Sequence, residues 1–214
     1  MILGTRNLAY HLVYHGARIL TETFATLECE GWDGLPEGPC LIAANHQSFL
    51  DPPLVGASLP FEIAFVARKS LFHNPLFGGV IRACRAIPLD RDEADLAAVR
   101  RALATLAEGR KLLIFPEGTR SADGVLLPAK AGAGLLALRS GVPVVPVRIR
   151  GARDVLPRGG SVPMGGARIR IRFGKAIPAS ELDPGKSHPE RYLEASRRIL
   201  AAISALPDSD DPGL

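Results

Sequence analysis

The chain has 214 residues, 47% hydrophobic and 22% charged, enough for one domain with its own core and unlike a disordered or low-complexity protein. Its net charge of +4 points to anionic partners, but its basic block, residues 148–175, holds Phe173 as its only aromatic, which argues against a base-stacking nucleic-acid platform. Three cysteines, Cys29, Cys40 and Cys84, form no CxxC pair, so a disulfide framework and a cysteine metal site are not expected and a reducing cytoplasm is.

The first 24 residues, MILGTRNLAYHLVYHGARILTETF, read as an N-terminal amphipathic helix. At helical spacing Leu8, Leu12, Val13, Ile19 and Leu20 gather toward one side, and Tyr10 and Tyr14 lie one turn apart. Arg6, Asn7, His11, His15 and Arg18 interrupt the apolar residues, so neither a signal peptide nor a spanning helix fits. Two readings stay open: a helix packed on the domain, or one lying in a membrane interface.

Residues 25–206 read as one domain of alternating strands and helices. CLIAAN (40–45), EIAFVA (62–67) and KLLIFP (111–116) are short apolar runs suited to buried strands. VPVVPVRI (142–149) is β-branched, but Pro143 and Pro146 push it toward a sheet edge or an irregular end. ARIRIRF (167–173) alternates Arg with Ile and Phe, which predicts one buried and one basic face. DEADLAAVRRALATLAEG (92–109) is helical, with Leu96, Val99, Leu103 and Leu106 on one stripe, acids at its start and Gly109 at its end. AKAGAGLLALRSG (129–141) is a shorter helix ending at Gly141, and SHPERYLEASRRILAAISAL (187–206) opens with Ser187 and Glu190, a capping-box pair. The tail PDSDDPGL, residues 207–214, is polar and expected to be disordered. The fold class that follows is α/β: a single domain with a mixed, mostly parallel sheet flanked by helices, plus the N-terminal amphipathic helix.

AANHQSFLDPP (43–53) sets His46 and Asp51 at the C-terminal mouth of a strand, where α/β folds place ligands. Pro52 suits the first helical position, so Asp51 reads as an N-cap, and the turn back brings its carboxylate to the imidazole. Such a pair fixes the ring tautomer and leaves the other nitrogen as a base. The residue types also fit a surface histidine beside a capping aspartate. Ser48 reads as bonding within the turn. No serine sits in a GxSxG setting, so an acyl-enzyme has no owner. IFPEGTRS (114–121) follows a second strand and supplies an acceptor for a substrate hydroxyl (Glu117), a flexible backbone (Gly118), a hydroxyl (Thr119) and a phosphate-forking guanidinium (Arg120). A turn with solvated charges is the other reading of that stretch. In AIPLDRDEAD, Arg91 precedes a helix N-terminus that favours anions, or else pairs with Asp90 or Asp92.

In order, NHQSFLD, IPLDR, FPEGTRS and VPVVPV resemble the four motifs of the glycerolipid acyltransferase superfamily, and the sequence is similar to its bacterial 1-acyl-glycerol-3-phosphate acyltransferases. FVARKSLFHNPLFG (65–78) and PAKAGAG (128–134) resemble that family's inter-motif segments, so the likeness spans residues 25 to 175. The resemblance implies His46 as general base with Asp51 orienting it. It implies Arg91 and Arg120 on the acceptor phosphate, Glu117 and Gly118 on its glycerol, and Pro143 and Pro146 on the acyl-donor side. Asn45 and Thr119 complete the expected substrate contacts, and Arg68, Lys69 and Lys130 are the cations available to an oxyanion or donor contact. The implied reaction moves an acyl group from acyl-CoA or acyl carrier protein, a co-substrate, to the hydroxyl of lysophosphatidic acid, with no further cofactor and no metal. Another lyso-lipid acceptor, such as lyso-ornithine lipid, and a non-catalytic lipid-binding relative are the alternatives. The expected partners are a lysophospholipid and an anionic membrane surface, without nucleic acid, and the expected place is the cytoplasmic face of the membrane, peripherally bound.

Overall fold

A computed structural model describes residues 8–90, 95–157, 159–160 and 164–207. Along the chain come α1 (Leu8–Phe24), β1 (Ala25–Glu30), β2 (Leu41–Ala44), α2 (Asp51–Ala57), β3 (Ile63–Arg68), α3 (Pro75–Ala83), β4 (Ala86–Leu89) and α4 (Leu96–Ala107). Then follow β5 (Lys111–Ile114), α5 (Gly132–Ser140), β6 (Val144–Arg150), α6 (Ala152–Val155), β7 (Ala167–Phe173), α7 (Ala179–Leu182) and α8 (Arg191–Ser204). The strands form one sheet in the order β1-β7-β6-β2-β5-β3-β4, parallel throughout except for β6 against β7. This is the mixed, mostly parallel α/β sheet that the sequence predicts. Residues 1–7 of the expected N-terminal helix, and all of the expected tail but Pro207, lie outside the described residues.

The parallel order decides where chemistry can sit. β2 and β5 are neighbours, with Ala43 opposite Ile114, and both run out at the same end of the sheet. The two loops that follow them, starting at Asn45 and at Phe115, are thereby set side by side. β6 flanks β2 on its other side, with Ala44 opposite Val147.

Three expectations are corrected here. β6 is central rather than an edge, despite Pro143 and Pro146. Val144 donates its amide toward Ile177, so by strand parity position 146 also faces that side, where the ladder to β7 begins only at Val147. A proline there costs no ladder bond. The buried stripe of α4 is Ala98, Ala102 and Leu106, and Leu96 is 63% exposed. Asp95 sets that phase: its Oδ1 accepts from the Ala98 amide at 2.8 Å and starts the helix at Leu96. The Ser187–Glu190 capping box does not form, because α8 starts at Arg191, where Asp183 takes the arginine Nε at 2.8 Å.

Two apolar layers enclose the sheet. On one face α1, α2 and α3 cover Ile42, Ala44, Ile63, Phe65, Val147 and Ile149; on the other, α4, α5 and α8 cover Leu41, Ala43, Leu112 and Val144. The second layer includes no residue of β1 or β7. There the sheet face carries the arginines of ARIRIRF instead, while Ile169, Ile171 and Phe173 point into the first layer, as the alternation predicts.

Helix α1 divides its two kinds of apolar residue. Tyr10 and Tyr14 are buried and stacked, ring centroids 4.1 Å apart, and the Tyr10 hydroxyl accepts the Ile63 amide, the first of β3, at 2.9 Å. Burial pushes the Tyr10 hydroxyl up to about 12. Leu8, Leu12 and Ile19 stand on the opposite, exposed stripe, whereas Val13 turns inward against the core. The seat is tight: a Cβ on Gly56 of α2 would lie 1.8 Å from the Tyr14 ring. Gly56→Ala should cost about 1–3 kcal/mol by overpacking. It should lower the unfolding midpoint and speed amide exchange along α1; unchanged exchange there would contradict this packing.

Candidate active site

The corner after β2 is built around one buried carboxylate. Asp51 is 0% exposed, and its Oδ2 accepts from His46 Nδ1 at 2.7 Å, from the Gln47 amide at 2.6 Å and from the Ser48 amide at 2.8 Å. The helix begins at Asp51 itself, so the side chain reaches back into the loop rather than capping α2 from outside. Since a carboxylate only accepts, Nδ1 carries the proton and Nε2 presents a lone pair. Among the described residues nothing hydrogen-bonds Nε2. The Ser48 hydroxyl accepts from the Leu50 amide, as expected of a turn residue, and also donates to Leu156 O at 2.7 Å, which ties the loop to α6.

The second loop holds the first. Phe115 stacks on the His46 ring, centroids 4.0 Å apart and 18° from parallel. The Ser121 amide donates to His46 O at 2.8 Å. Glu117 was expected to meet a substrate hydroxyl, but it is 1% exposed and its oxygens accept the backbone amides of His46 at 3.1 Å and Leu127 at 3.3 Å. It is an interior brace between the loops. Desolvation pushes its carboxyl up to about 7, against the pull of those two amides. Gly118 takes a left-handed φ of 67°, a conformation that favours glycine, and the Lys130 side chain lies over it.

The other expected residues scatter in role. Asn45 is 1% exposed, and its carboxamide is spent on Ile149, accepting its amide at 2.7 Å and donating to its carbonyl at 2.9 Å, so it pins β6 rather than facing substrate. Arg120 stands half-buried with its guanidinium 3.5 Å from the Phe49 ring centroid, and Thr119 beside it is half-buried too. Arg68 ends β3 at the same end of the sheet as His46, and Lys69 follows it with its Nζ 3.6 Å from Asp90. Arg91 lies outside the described residues. Pro146 is buried within β6, and Pro143 precedes that strand at the end opposite His46, so Pro143 does not border the His46–Asp51 corner. Among the described residues no three His, Cys, Asp or Glu side chains gather as a metal site. Phe115, Ser121 and Gln47 were not picked out from the sequence, because stacking and backbone bonding across two loops leave no spacing signal.

Comparison with known proteins adds one deciding fact. The family model described as Acyltransferase matches residues 26–150. The chain belongs to the acyltransferase family. The match takes in both loops of the corner and all of β6. Among relatives in the family, the Pseudomonas aeruginosa protein named 1-acyl-sn-glycerol-3-phosphate acyltransferase is 31% identical over 83% of this chain and 67% of its own length. The chloroplast 1-acyl-sn-glycerol-3-phosphate acyltransferase BAT2 of Brassica napus is 32% identical over 78% of this chain. The chain spans about half the length of that relative, 49%. In fold it matches the crystal structure of the LPA acyltransferase PlsC from Thermotoga maritima, with a TM-score of 0.73 at 24% identity, covering 97% of this chain and 86% of that one.

The raised Glu117 carboxyl has a stability signature in this acyltransferase. Its ordinary value is 4.5 and its folded value about 7, so between those pH values the folded chain holds a proton that the unfolded chain has lost. The group's contribution is complete below pH 4.5 and is lost as the pH rises through about 7. Urea unfolding should show wild type losing stability relative to Glu117→Gln as the pH climbs across that window. A constant difference would mean that Glu117 does not titrate there.

Proposed function

We propose that this chain transfers a fatty acyl group from a thioester donor, acyl-CoA or acyl carrier protein, to the hydroxyl of lysophosphatidic acid, giving phosphatidic acid. The observation that carries the reading is the His46–Asp51 contact of 2.7 Å at a strand mouth, with Nε2 left available. The acceptor named for the family's relatives fits it. Nε2 takes the proton of the acceptor hydroxyl while that oxygen bonds to the thioester carbonyl carbon. Asp51 stabilises the imidazolium that forms, and the imidazolium returns the proton to the leaving thiolate as the carbon–sulfur bond breaks. General-base help of this kind contributes about 10²–10⁴-fold, with positioning and oxyanion stabilisation adding more. Arg120, oriented by Phe49, takes the acceptor phosphate together with Arg91. Arg68 and Lys69, at the β3 end on the His46 side of the sheet, and Lys130, over Gly118, are the cations proposed for the oxyanion or the donor. A base and a thioester co-substrate suffice for this chemistry, so the reading calls for no cofactor.

Purified protein assayed with labelled donor and lysophosphatidic acid tests the reaction. His46→Ala should abolish transfer in a folded protein, and Asp51→Asn should lose most of it, since the amide cannot stabilise the imidazolium. Wild-type turnover by folded His46→Ala would end the mechanism. Arg120→Ala should raise the acceptor KM ten-fold or more, because a charged bond to phosphate is worth about 1.5–3 kcal/mol, and should leave the donor KM unchanged. A donor effect instead would move Arg120 to the other substrate.

The acceptor is a lipid, so the reading also places the protein peripherally on the cytoplasmic face of a membrane. No helix among the described residues is long and apolar enough to cross one. The means of contact is the outer stripe of α1, where Leu8 is 71%, Leu12 64% and Ile19 66% exposed. Replacing all three by Ser should lower sedimentation with anionic vesicles at least ten-fold, since each buried aliphatic side chain contributes about 1.5–3 kcal/mol. Undiminished binding would assign the contact to another surface.

A further inference from the structure

The uncovered part of the sheet, where α8 stops short of β7 and β1, is a groove of about 490 Å³. That volume lies in the range of small-molecule sites. Strand alternation puts Arg148 and Arg150 of β6 and Arg168, Arg170 and Arg172 of β7 on this one face, and Arg153 of α6 closes its rim. The lining also carries Glu28, Glu30, Asp123 and Asp154, so six cations stand against four anions and the lining is net +2. Glu28 draws Arg170 to 3.0 Å and Arg168 to 3.4 Å, and Glu30 draws Arg172 to 2.7 Å. These pairs draw the three β7 guanidinium groups to the β1 side of the groove.

Position says which anion the array suits. The groove begins at Gln47, the residue after His46, whose carboxamide donates to Gly124 O at 3.5 Å. It crosses β6 and β7 to the glutamates of β1, three strand spacings and therefore about 14 Å from β2. Acceptor phosphate and acceptor hydroxyl share one glycerol, so with the hydroxyl at His46 the phosphate stays beside that corner and cannot reach β7. An acyl thioester of coenzyme A is built the other way: a long pantetheine arm separates the reacting carbonyl from a diphosphate and a ribose phosphate. An acidic carrier protein would instead need a broad open face of about 800 Å², not a cleft.

We propose that this arginine-lined groove binds the phosphates of a coenzyme A donor, with the pantetheine arm running along Gln47 to His46. The proposal rests on the acyl-transfer reading for its chemistry, but its binding step can be measured without turnover. Calorimetry with free coenzyme A should show binding to the full chain that weakens at high salt and that 3′,5′-ADP competes away, whereas pantetheine does not. Arg150→Gln with Arg168→Gln should weaken coenzyme A at least ten-fold and raise the acyl-CoA KM to match, leaving the acceptor KM unmoved. Lys175→Gln with Lys186→Gln, an exposed change of equal charge outside the groove, should do neither. Unchanged coenzyme A affinity in the double variant with a lowered melting temperature would reduce the arginines to cross-strand ion pairs and overturn the proposal. So would an equal loss in the double lysine variant, a shift in the acceptor KM alone, or turnover with acyl carrier protein by a chain that does not bind coenzyme A. Tight, groove-dependent coenzyme A binding without any acyl transfer would keep this site and refute the reaction.

Discussion

The structure around the site turns on a charge that is hard to bury. A carboxylate taken fully out of water is tolerated only when its lost hydration is replaced by donors. Here one oxygen of Asp51 receives a ring N–H and two backbone amides, all from the five residues before it. Those bonds fold residues 46–51 into a single conformation and start α2 where it starts. The imidazole is thus oriented by the same bonds that solvate the aspartate, and ring orientation and loop stability become one quantity. Its other oxygen, Oδ1, is buried with no hydrogen-bond partner among the described residues, so the three bonds to Oδ2 carry the whole of the replacement for water.

The sheet supplies the frame for that corner by bringing separate stretches of chain to one end. Asn45 clamps β2 to β6, Glu117 clamps the β5 loop to His46, and Ser48 clamps the β2 loop to α6. Each clamp is a buried polar side chain bonded to backbone over a long sequence separation. Bonds of this type are worth about 1 kcal/mol each when made and more when left half made, so the loops are positioned jointly rather than one by one.

Much of this was legible in the sequence, for physical reasons. Short apolar runs between turn residues gave three central strands, and the alternation of ARIRIRF gave both faces of β7. The His46–Asp51 contact followed from a strand end, a tight turn and Pro52. Roles that depend on depth were not legible. Glu117 and Asn45 look like substrate contacts in a linear motif, because nothing in the residue type says that its polar atoms will be taken by a distant backbone. Ile149 lies 104 residues beyond Asn45 in the chain. The prolines of β6 misled for a related reason: whether a missing N–H matters depends on which neighbour that side of the strand faces. β1 leaves a weak signal because ATLECE is mixed in polarity, and β4 because AIPL is four residues long with a proline inside it; each sits at an outer edge of the sheet where one side needs no partner. In α4 two alanines, Ala98 and Ala102, share the buried stripe with Leu106 while Leu96 faces out, and a small side chain leaves little trace in a hydrophobic pattern.

The bond from the Tyr10 hydroxyl to the first amide of β3 makes α1 a keel rather than a tether. Swinging the helix away would strand a buried donor and a buried ring, at a cost of about 1–3 kcal/mol for the donor alone. The outer leucines are therefore carried at a fixed angle to the strand axes. Any flat surface they rest on is met in one orientation, with the strand ends holding a set tilt and height above it. A soft linker would let the corner at His46 sample every heading; this attachment makes heading a property of the fold.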